Sequence, residues 1–348
     1  MPDIVWMDSF DHYSTADIPT KWNVLWSNFA APTISLAAGR KNYGLLLDRD
    51  GNVYKSIPDT STITVGFAFR FTQLANIRIL TLKDEGTTQI SMSLLSSGKL
   101  AVYNGLTNLL GLSTTVLSPL KFYYIELNST ISNSIGVAHL RIGGVSELNL
   151  TLQDTQASSA ARVNMVGFGT NASDVHGVLH IDDLVITNGQ LLGPMKVDVI
   201  RPNGGVSGYM QMQVVGGAGS HYQAINDTTP DGDTSYLYSL SNSSGSGVFS
   251  EYENIAEATG GAIPAIAVHT YVRKEYGNTR GFQTGLYPGT YDGAAGNLQY
   301  YNDPLYIETE YAYHSDIYES NPAANAGAGG TWTVGSINAL KAGFKRYL

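Results

Sequence analysis

Residues 63–71 read Ile63-Thr64-Val65-Gly66-Phe67-Ala68-Phe69-Arg70-Phe71, five large apolar side chains alternating with four small or polar ones. A period of two belongs to an extended strand, whose successive side chains point to opposite faces. One face of this strand therefore carries Ile63, Val65, Phe67, Phe69 and Phe71 and has to be covered. Ile90, Met92 and Leu94 repeat the pattern, as do Leu148, Leu150 and Leu152. Further strands are predicted at Phe122–Asn128, Val137–Ile142, Val163–Phe168 and Val178–Thr187. Leu45–Leu47 and Val53–Ile57, separated by Asp48-Arg49-Asp50-Gly51-Asn52, read as a hairpin closed by an Asp-Gly turn. Many short strands with turn signals between them predict an all-β, antiparallel sandwich of the jelly-roll kind.

The chain is 348 residues long, enough for two domains at roughly 100–200 residues each. Composition shifts near residue 195, because 16 of the 22 tyrosines follow it. Asn188–Pro194 carries the Gly and Pro of a connector. The expected organisation is a first sandwich over 1–190, a connector at 191–195 and a second, tyrosine-rich β-sandwich over 196–348. Ala265–Lys274 and Pro304–His314 alternate as strands, and a short helix capped by Thr333 is expected near 334–340.

There are no cysteines, which excludes disulfides, thiolate metal sites and a cysteine nucleophile. The formal net charge of −9 opposes a sequence-independent grip on nucleic acid. No apolar run approaches the roughly 20 residues of a membrane-spanning helix, and the opening MPDIVWMDSF lacks the basic and apolar regions of a signal peptide. A soluble protein made in a reducing cytosol is expected.

Several motifs read better as structure than as chemistry. Asp48–Asn52 lacks the spacing of an EF-hand. Gly167-Phe168-Gly169 is followed by strand-like sequence, not by the helix that a dinucleotide site requires. His176 and His180, on one strand, would stand about 13 Å apart at roughly 3.3 Å per residue. Glu251, Glu253 and Glu257 read as a solvated acidic surface, and Glu308 and Glu310 as a polar sheet face or a carbohydrate- or partner-facing patch. The tyrosines of 287–318 suit either β packing or contact with a sugar or protein. Tyr300, Tyr301, Tyr306, Tyr311 and Tyr313 are the candidate contact residues. Asp182-Asp183 falls where the apolar register changes, which predicts a β-bulge and offers oxygens for a structural calcium. No cofactor is otherwise expected.

The stretch Asp8-Ser9-Phe10-Asp11-His12-Tyr13 with Lys21-Trp22 resembles the opening strand of concanavalin A-like (laminin-G-like) sandwiches, and Ile181–Ile186 resembles their closing strand. The resemblance implies that first and last strands lie side by side, bringing Asp8 and Asp11 near Asp182 and Asp183, where some members bind calcium. The Glu-x-Asp-x-x-Glu strand of the β-glucanases in that family has no counterpart here. Nearly the full length also resembles tailed-bacteriophage virion proteins, through "WMDSFDHY", "IDDLVITNGQLLGPMKVDVIRPNG", "PDGDTSY" and "TWTVGSINALKAGFKR". This implies a non-enzymatic structural component of the virion exterior, synthesised in the bacterial host cytoplasm, either a tail appendage or fibre or a head-decorating protein. Its expected partners are other virion proteins and its own copies, as a homo-oligomer with three-fold assembly by analogy, with no nucleic acid and no membrane insertion. Two alternatives stand beside it: a carbohydrate-binding adhesin for a host surface glycan, and a glycan depolymerase.

Overall fold

A computed structural model describes residues 3–25, 31–48, 51–169, 177–207, 212–216, 219–239, 247–255, 262–275, 281–288, 300–301, 304–321 and 330–347. The chain divides into two compact units, Pro2–Asp198 and Val199–Leu348, the latter joined by Met1.

In the first unit the strands are β1 Ile4–Asp8, β2 Asn23–Leu25, β3 Thr33–Ser35, β4 Gly44–Leu47, β5 Asn52–Thr60, β6 Thr62–Phe71, β7 Ile77–Asp84, β8 Thr87–Leu94, β9 Leu100–Asn104, β10 Asn108–Leu112, β11 Tyr123–Thr130, β12 Gly136–Ile142, β13 Val145–Gln153, β14 Val163–Gly169 and β15 Leu179–Thr187. One sheet has the order β13-β12-β11-β6-β15-β4-β3, with β1 also paired to β15, and the other β10-β9-β8-β7-β14-β5-β2. Every pairing is antiparallel. A helical turn at Ile18–Lys21, absent from the sequence expectations, follows β1.

β6 is an interior strand, paired with β11 on one edge and β15 on the other. Its Ile63, Val65, Phe67, Phe69 and Phe71 have no exposed surface, and each such burial contributes about 1.5–3 kcal/mol before entropy is counted. Phe67 meets Phe168 edge-on at 5.0 Å, and Phe168 in turn meets Trp22 at 6.4 Å. The core is thus an aromatic file joining β6 to the opposite sheet and to the amino-terminal segment.

The other face of β6 is also covered. Thr64 and Ala68 are buried, and a Cβ on Gly66 would stand 2.7 Å from the Tyr124 hydroxyl. Segment 189–197 is fastened to this sheet and does not hang free. Glu126 Oε1 accepts the Leu192 and Gly193 N–H groups at 2.9 and 2.8 Å, and the Asn128 amide donates to the Gly189 carbonyl at 2.8 Å.

Two sequence expectations need correction. Asp48–Asn52 does not close a hairpin, because β4 pairs with β15 and β3 in one sheet while β5 pairs with β14 and β2 in the other. Arg49 and Asp50 lie outside the described residues, and a local turn signal does not reveal which partner each flanking strand chooses. Pro304–His314 is not one strand either. Tyr306 registers with Gly281, whereas Ala312 registers with Val272. The residues between must therefore pass from one sheet to another.

The second unit contains β16 Pro202–Ser207, β17 Met212–Val215, β18 Tyr236–Ser239, β19 Gly247–Tyr252, β20 Ile266–Val272, β21 Gly281–Pro288, β22 Tyr300–Tyr301, β23 Leu305–Tyr306, β24 Ala312–Tyr318 and β25 Leu340–Tyr347. A six-stranded sheet runs β16-β19-β25-β21-β22, with β23 also on β21, and β17-β18 and β20-β24 form two ribbons. Val268 and Tyr318 of the second ribbon share a core with Leu286 and Ala342 of the sheet. Trp332 and the helix Val334–Asn338 complete it, with Thr333 Oγ1 accepting the Ser336 N–H at 3.1 Å.

Replacing Glu126 with Ala removes the acceptor of two N–H groups. The expected result is a loss of about 1–3 kcal/mol in urea denaturation, with new limited-proteolysis cuts within 190–195. An unchanged proteolysis pattern would show that other contacts hold the segment.

Candidate functional site

β1 pairs with β15 through Asp8 and Leu184, so the opening and closing strands do lie side by side. On the same edge of β15, β4 pairs with Leu179–Ile181 and β1 with Leu184–Thr187. The bulge stands where one neighbour gives way to the other: the register against β6 shifts between Asp182 and Val185, and Asp183 takes φ +50°.

The four acids that the sequence singled out are all buried there. Asp8 accepts the Phe10 N–H at 2.9 Å and the Tyr13 hydroxyl at 3.1 Å, and its Oδ2 lies 3.3 Å from the Lys21 ammonium. Asp11 accepts the Tyr43 N–H at 2.7 Å. Asp182 accepts the Arg40 N–H at 2.6 Å and the Asp183 N–H at 2.7 Å. Asp183 accepts the Val197 N–H at 2.8 Å and pairs with the Arg40 guanidinium. Burial, and then the Asp183 charge, push the Asp182 carboxyl up to about 7; burial also raises Asp183. These oxygens are engaged by backbone N–H groups, the Tyr13 hydroxyl, the Lys21 ammonium and the Arg40 guanidinium. Among the described residues no group of three or more His, Cys, Asp or Glu is arranged to hold a metal. The cluster fastens loop 40–43 and segment 195–198 to the sheet edge.

Beside Asp8 lies a pair of desolvated ammonium groups. Lys21 Nζ is 4.3 Å from the Tyr13 ring centroid. Lys55 Nζ is 3.5 Å from that of Trp6 and donates to the Lys21 carbonyl at 2.9 Å. Burial pulls both down to about 8, against the opposing attraction of Asp8.

His180 is buried and pulled down to about 4, by burial first and the Arg70 guanidinium second. His176 and Glu257 lie outside the described residues. Glu251 pairs with Lys341 at 3.2 Å, and Glu253 accepts the Arg201 N–H. These carboxylates serve local structure.

Of the candidate tyrosines, Tyr306 is 65% exposed. Tyr311 stacks on Tyr271 at 4.7 Å and 12°, with the Arg273 guanidinium 5.0 Å from its ring. Its hydroxyl donates to Asp233 at 2.8 Å, and Arg273 reaches the same oxygen at 2.7 Å. Tyr313 lies against Tyr271 at 4.6 Å. The structure therefore joins Tyr311 and Tyr313 through Tyr271. Tyr300 and Tyr301 register with Leu286 and Gly285, and their side chains lie outside the described residues.

The sequence reading missed a recess on the second sheet of the first unit. It measures about 160 Å³ and is lined by Asn52 and Tyr54 of β5, Arg78, Thr81 and Lys83 of β7, Thr88 of β8, Leu106, and Phe168 and Gly169 of β14. β14 lies between β5 and β7, with Gly167 registered against both Tyr54 and Thr81. A Cβ on Gly167 would meet the Tyr54 ring at 2.5 Å and Thr81 Oγ1 at 2.6 Å. The missing side chain is what lets the Tyr54 ring and Thr81 come this close to β14. Lys83 Nζ stands 4.6 Å from the Tyr54 centroid. Burial lowers Arg78 and Lys83 and raises Tyr54. The recess thus combines an aromatic face, two cations and the amide and hydroxyls of Asn52, Thr81 and Thr88. No motif marks it, because its residues come from strands that become neighbours only through the register.

No family model matches the chain, and no curated protein matches it. Among solved structures it is similar to a sialidase (14% identity, 53% of this chain and 18% of that chain, TM-score 0.38). It is also similar to the alginate lyase Aly36B (13% identity, 53% and 97%, TM-score 0.39). A third is a botulinum neurotoxin type C structure whose description concerns interaction with two ganglioside molecules (12% identity, 43% and 40%, TM-score 0.33). The expectation of a non-enzymatic chain is corrected by this finding, since the similar structures include enzymes named for glycans.

The buried ammonium groups set a pH dependence whose sign is fixed. Lys21 and Lys55 titrate near 8 in the folded chain and near 10.5 unfolded. Between those values the unfolded chain binds more protons, so stability rises with pH. Tyr54, raised by burial from 10, opposes this only above about 10. Denaturant titrations from pH 8 to 10 should show the rise, with a smaller slope in Lys55→Met. A flat profile would show that the two ammonium groups are not desolvated.

Proposed function

We propose that the chain binds carbohydrate, through the recess between Tyr54 and Arg78 on the second sheet of the first unit. The observation that supports this is the recess itself, bordered by the Tyr54 ring that packs on Gly167 and by hydroxyl, amide and cationic donors. A sugar offers the matching surfaces, C–H groups on one face and hydroxyls around the edge. Aromatic side chains suit the first and polar groups the second. The ligand proposed is a host surface glycan.

The sequence resemblance to tailed-phage virion proteins supports display of this activity on a particle exterior, beside other virion proteins and in a homo-oligomer. The exposed Tyr306 and the Tyr271–Tyr311–Tyr313 stack form the second surface to test.

On a glycan array carrying bacterial surface sugars, Tyr54→Ala is expected to weaken every hit about tenfold, as the loss of a well-packed aromatic contact would. Tyr311→Ala and Tyr313→Ala should leave the hits in place. The reverse pattern would move the glycan to the second unit, and an array without hits for the parent chain would remove the reading.

Quantitative mass spectrometry of purified virions against the major capsid protein tests the location. Hundreds of copies indicate a head-decorating protein, and a few copies in multiples of three indicate a tail component. Absence would end the virion reading.

A further inference from the structure

We propose that the recess selects acidic glycans, with Arg78 and Lys83 receiving the carboxylate of a uronic or sialic acid residue. This rests on the carbohydrate-binding reading and adds the chemical class.

Several cations of the first unit have acids beside them. Lys21 pairs with Asp8, Arg40 with Asp183, and Arg162 with Asp59, Asp84 and Glu85. Arg78 and Lys83 differ. Neither makes an ion pair or a side-chain hydrogen bond with any described residue. The side chains that act on their charge are Tyr54 and Tyr103 for Arg78, and Arg78 for Lys83, with no carboxylate among them. This holds in a chain with 29 acidic and 20 basic residues, where a nearby acid would be the ordinary outcome.

Arg78 Nε is moreover buried without an acceptor. Leaving a buried donor bare costs free energy that an arriving acceptor recovers. A carboxylate meets that need best, since it can accept two parallel N–H bonds from a guanidinium. The Lys83 ammonium, resting against the Tyr54 ring, keeps its donors for the same anion. Tyr54 and Leu106 beside these cations favour an anion carried on a sugar ring over a bare inorganic one.

The test is calorimetry on the full chain with a panel of uronic- and sialic-acid oligosaccharides, each beside its carboxyl-reduced neutral form, and with a sulfated oligosaccharide. The acidic member of a pair is expected to bind about ten- to a hundredfold more tightly, the range for hydrogen bonds to charged groups. Added salt should weaken that member alone. Arg78→Gln and Lys83→Gln, checked for unchanged melting temperature, should each narrow the gap in affinity between the acidic and the neutral member of a pair. The salt dependence supplies the same information without a variant.

Equal affinity within every pair, or a preference that survives the double variant, overturns the inference and leaves carbohydrate binding standing. A sulfated sugar bound as tightly as the acidic one overturns the assignment to carboxylate. Failure of both members of every pair to bind would overturn the carbohydrate-binding reading as well.

Discussion

The first unit depends on one strand being covered on both sides. β6 sends five large apolar groups into the space between the sheets and presents only Thr64, Gly66 and Ala68 on the central stretch of its outer face. Large residues there would hold off whatever lies above. With small ones, the Tyr124 hydroxyl reaches Gly66, and segment 189–197 is fastened across the same sheet by Glu126 and Asn128. That segment leaves β15, the other neighbour of β6. The pairing that fills the core therefore also fixes where the chain must travel on leaving it. The bulge at Asp182–Asp183 is part of the same arrangement, because β15 changes partner from β4 to β1 at that point.

The charges of this unit fall into two sets with different physical standing. Asp8, Asp182 and Asp183 have been taken out of water, Asp8 together with Lys21 and Asp183 against the exposed Arg40, and each oxygen named has a donor. Such pairs roughly break even against their desolvation and act mainly by fixing geometry. Removing one partner would strand the other, so they are poor places for a ligand to compete. Arg78 and Lys83 have lost part of their hydration with no compensating acid. That cost is borne by the folded chain, and it is recovered when an anion enters. Charge paired at the sheet edge holds the fold, whereas the charge of Arg78 and Lys83 stands beside a recess without an acid.

How far the sequence could be read follows from the range of the interactions concerned. The alternation of Ile63–Phe71 is local and survives intact as β6. The break in apolar register at Asp182–Asp183 is also local, and it appears as a bulge with Asp183 at positive φ. Thr333 caps its helix through a contact only three residues away. Asp48–Asn52 failed as a hairpin because the turn residues carry no information about long-range partners. Pro304–His314 failed because one alternating run is shared between two sheets. The recess was invisible for the same reason: Tyr54, Arg78 and Lys83 stand on β5 and β7, and it is β14, far along the chain, that sets them side by side. Gly167, read as part of a false nucleotide motif, is the residue whose missing side chain lets the Tyr54 ring close on β14.

The tyrosines of the second unit show how composition alone can mislead about which surface is offered to a partner. β20 and β24 form a ribbon of two strands, and most of its residues are half-buried, not enclosed. A phenylalanine in such a place would leave an apolar edge in water. Tyrosine covers the same area and turns its hydroxyl outward, as Tyr311 does toward Asp233. Tyr271 accordingly has Tyr311 and Tyr313 against its ring, and Arg273 stands against Tyr311. Ring surface committed to these neighbours is not available to a sugar, which leaves Tyr306 as the exposed ring among the described candidates. In the first unit Tyr54 packs over Gly167, with the Lys83 ammonium 4.6 Å from its ring, and borders the recess. Surroundings, more than the number of aromatic residues, decide which ring can receive a ligand.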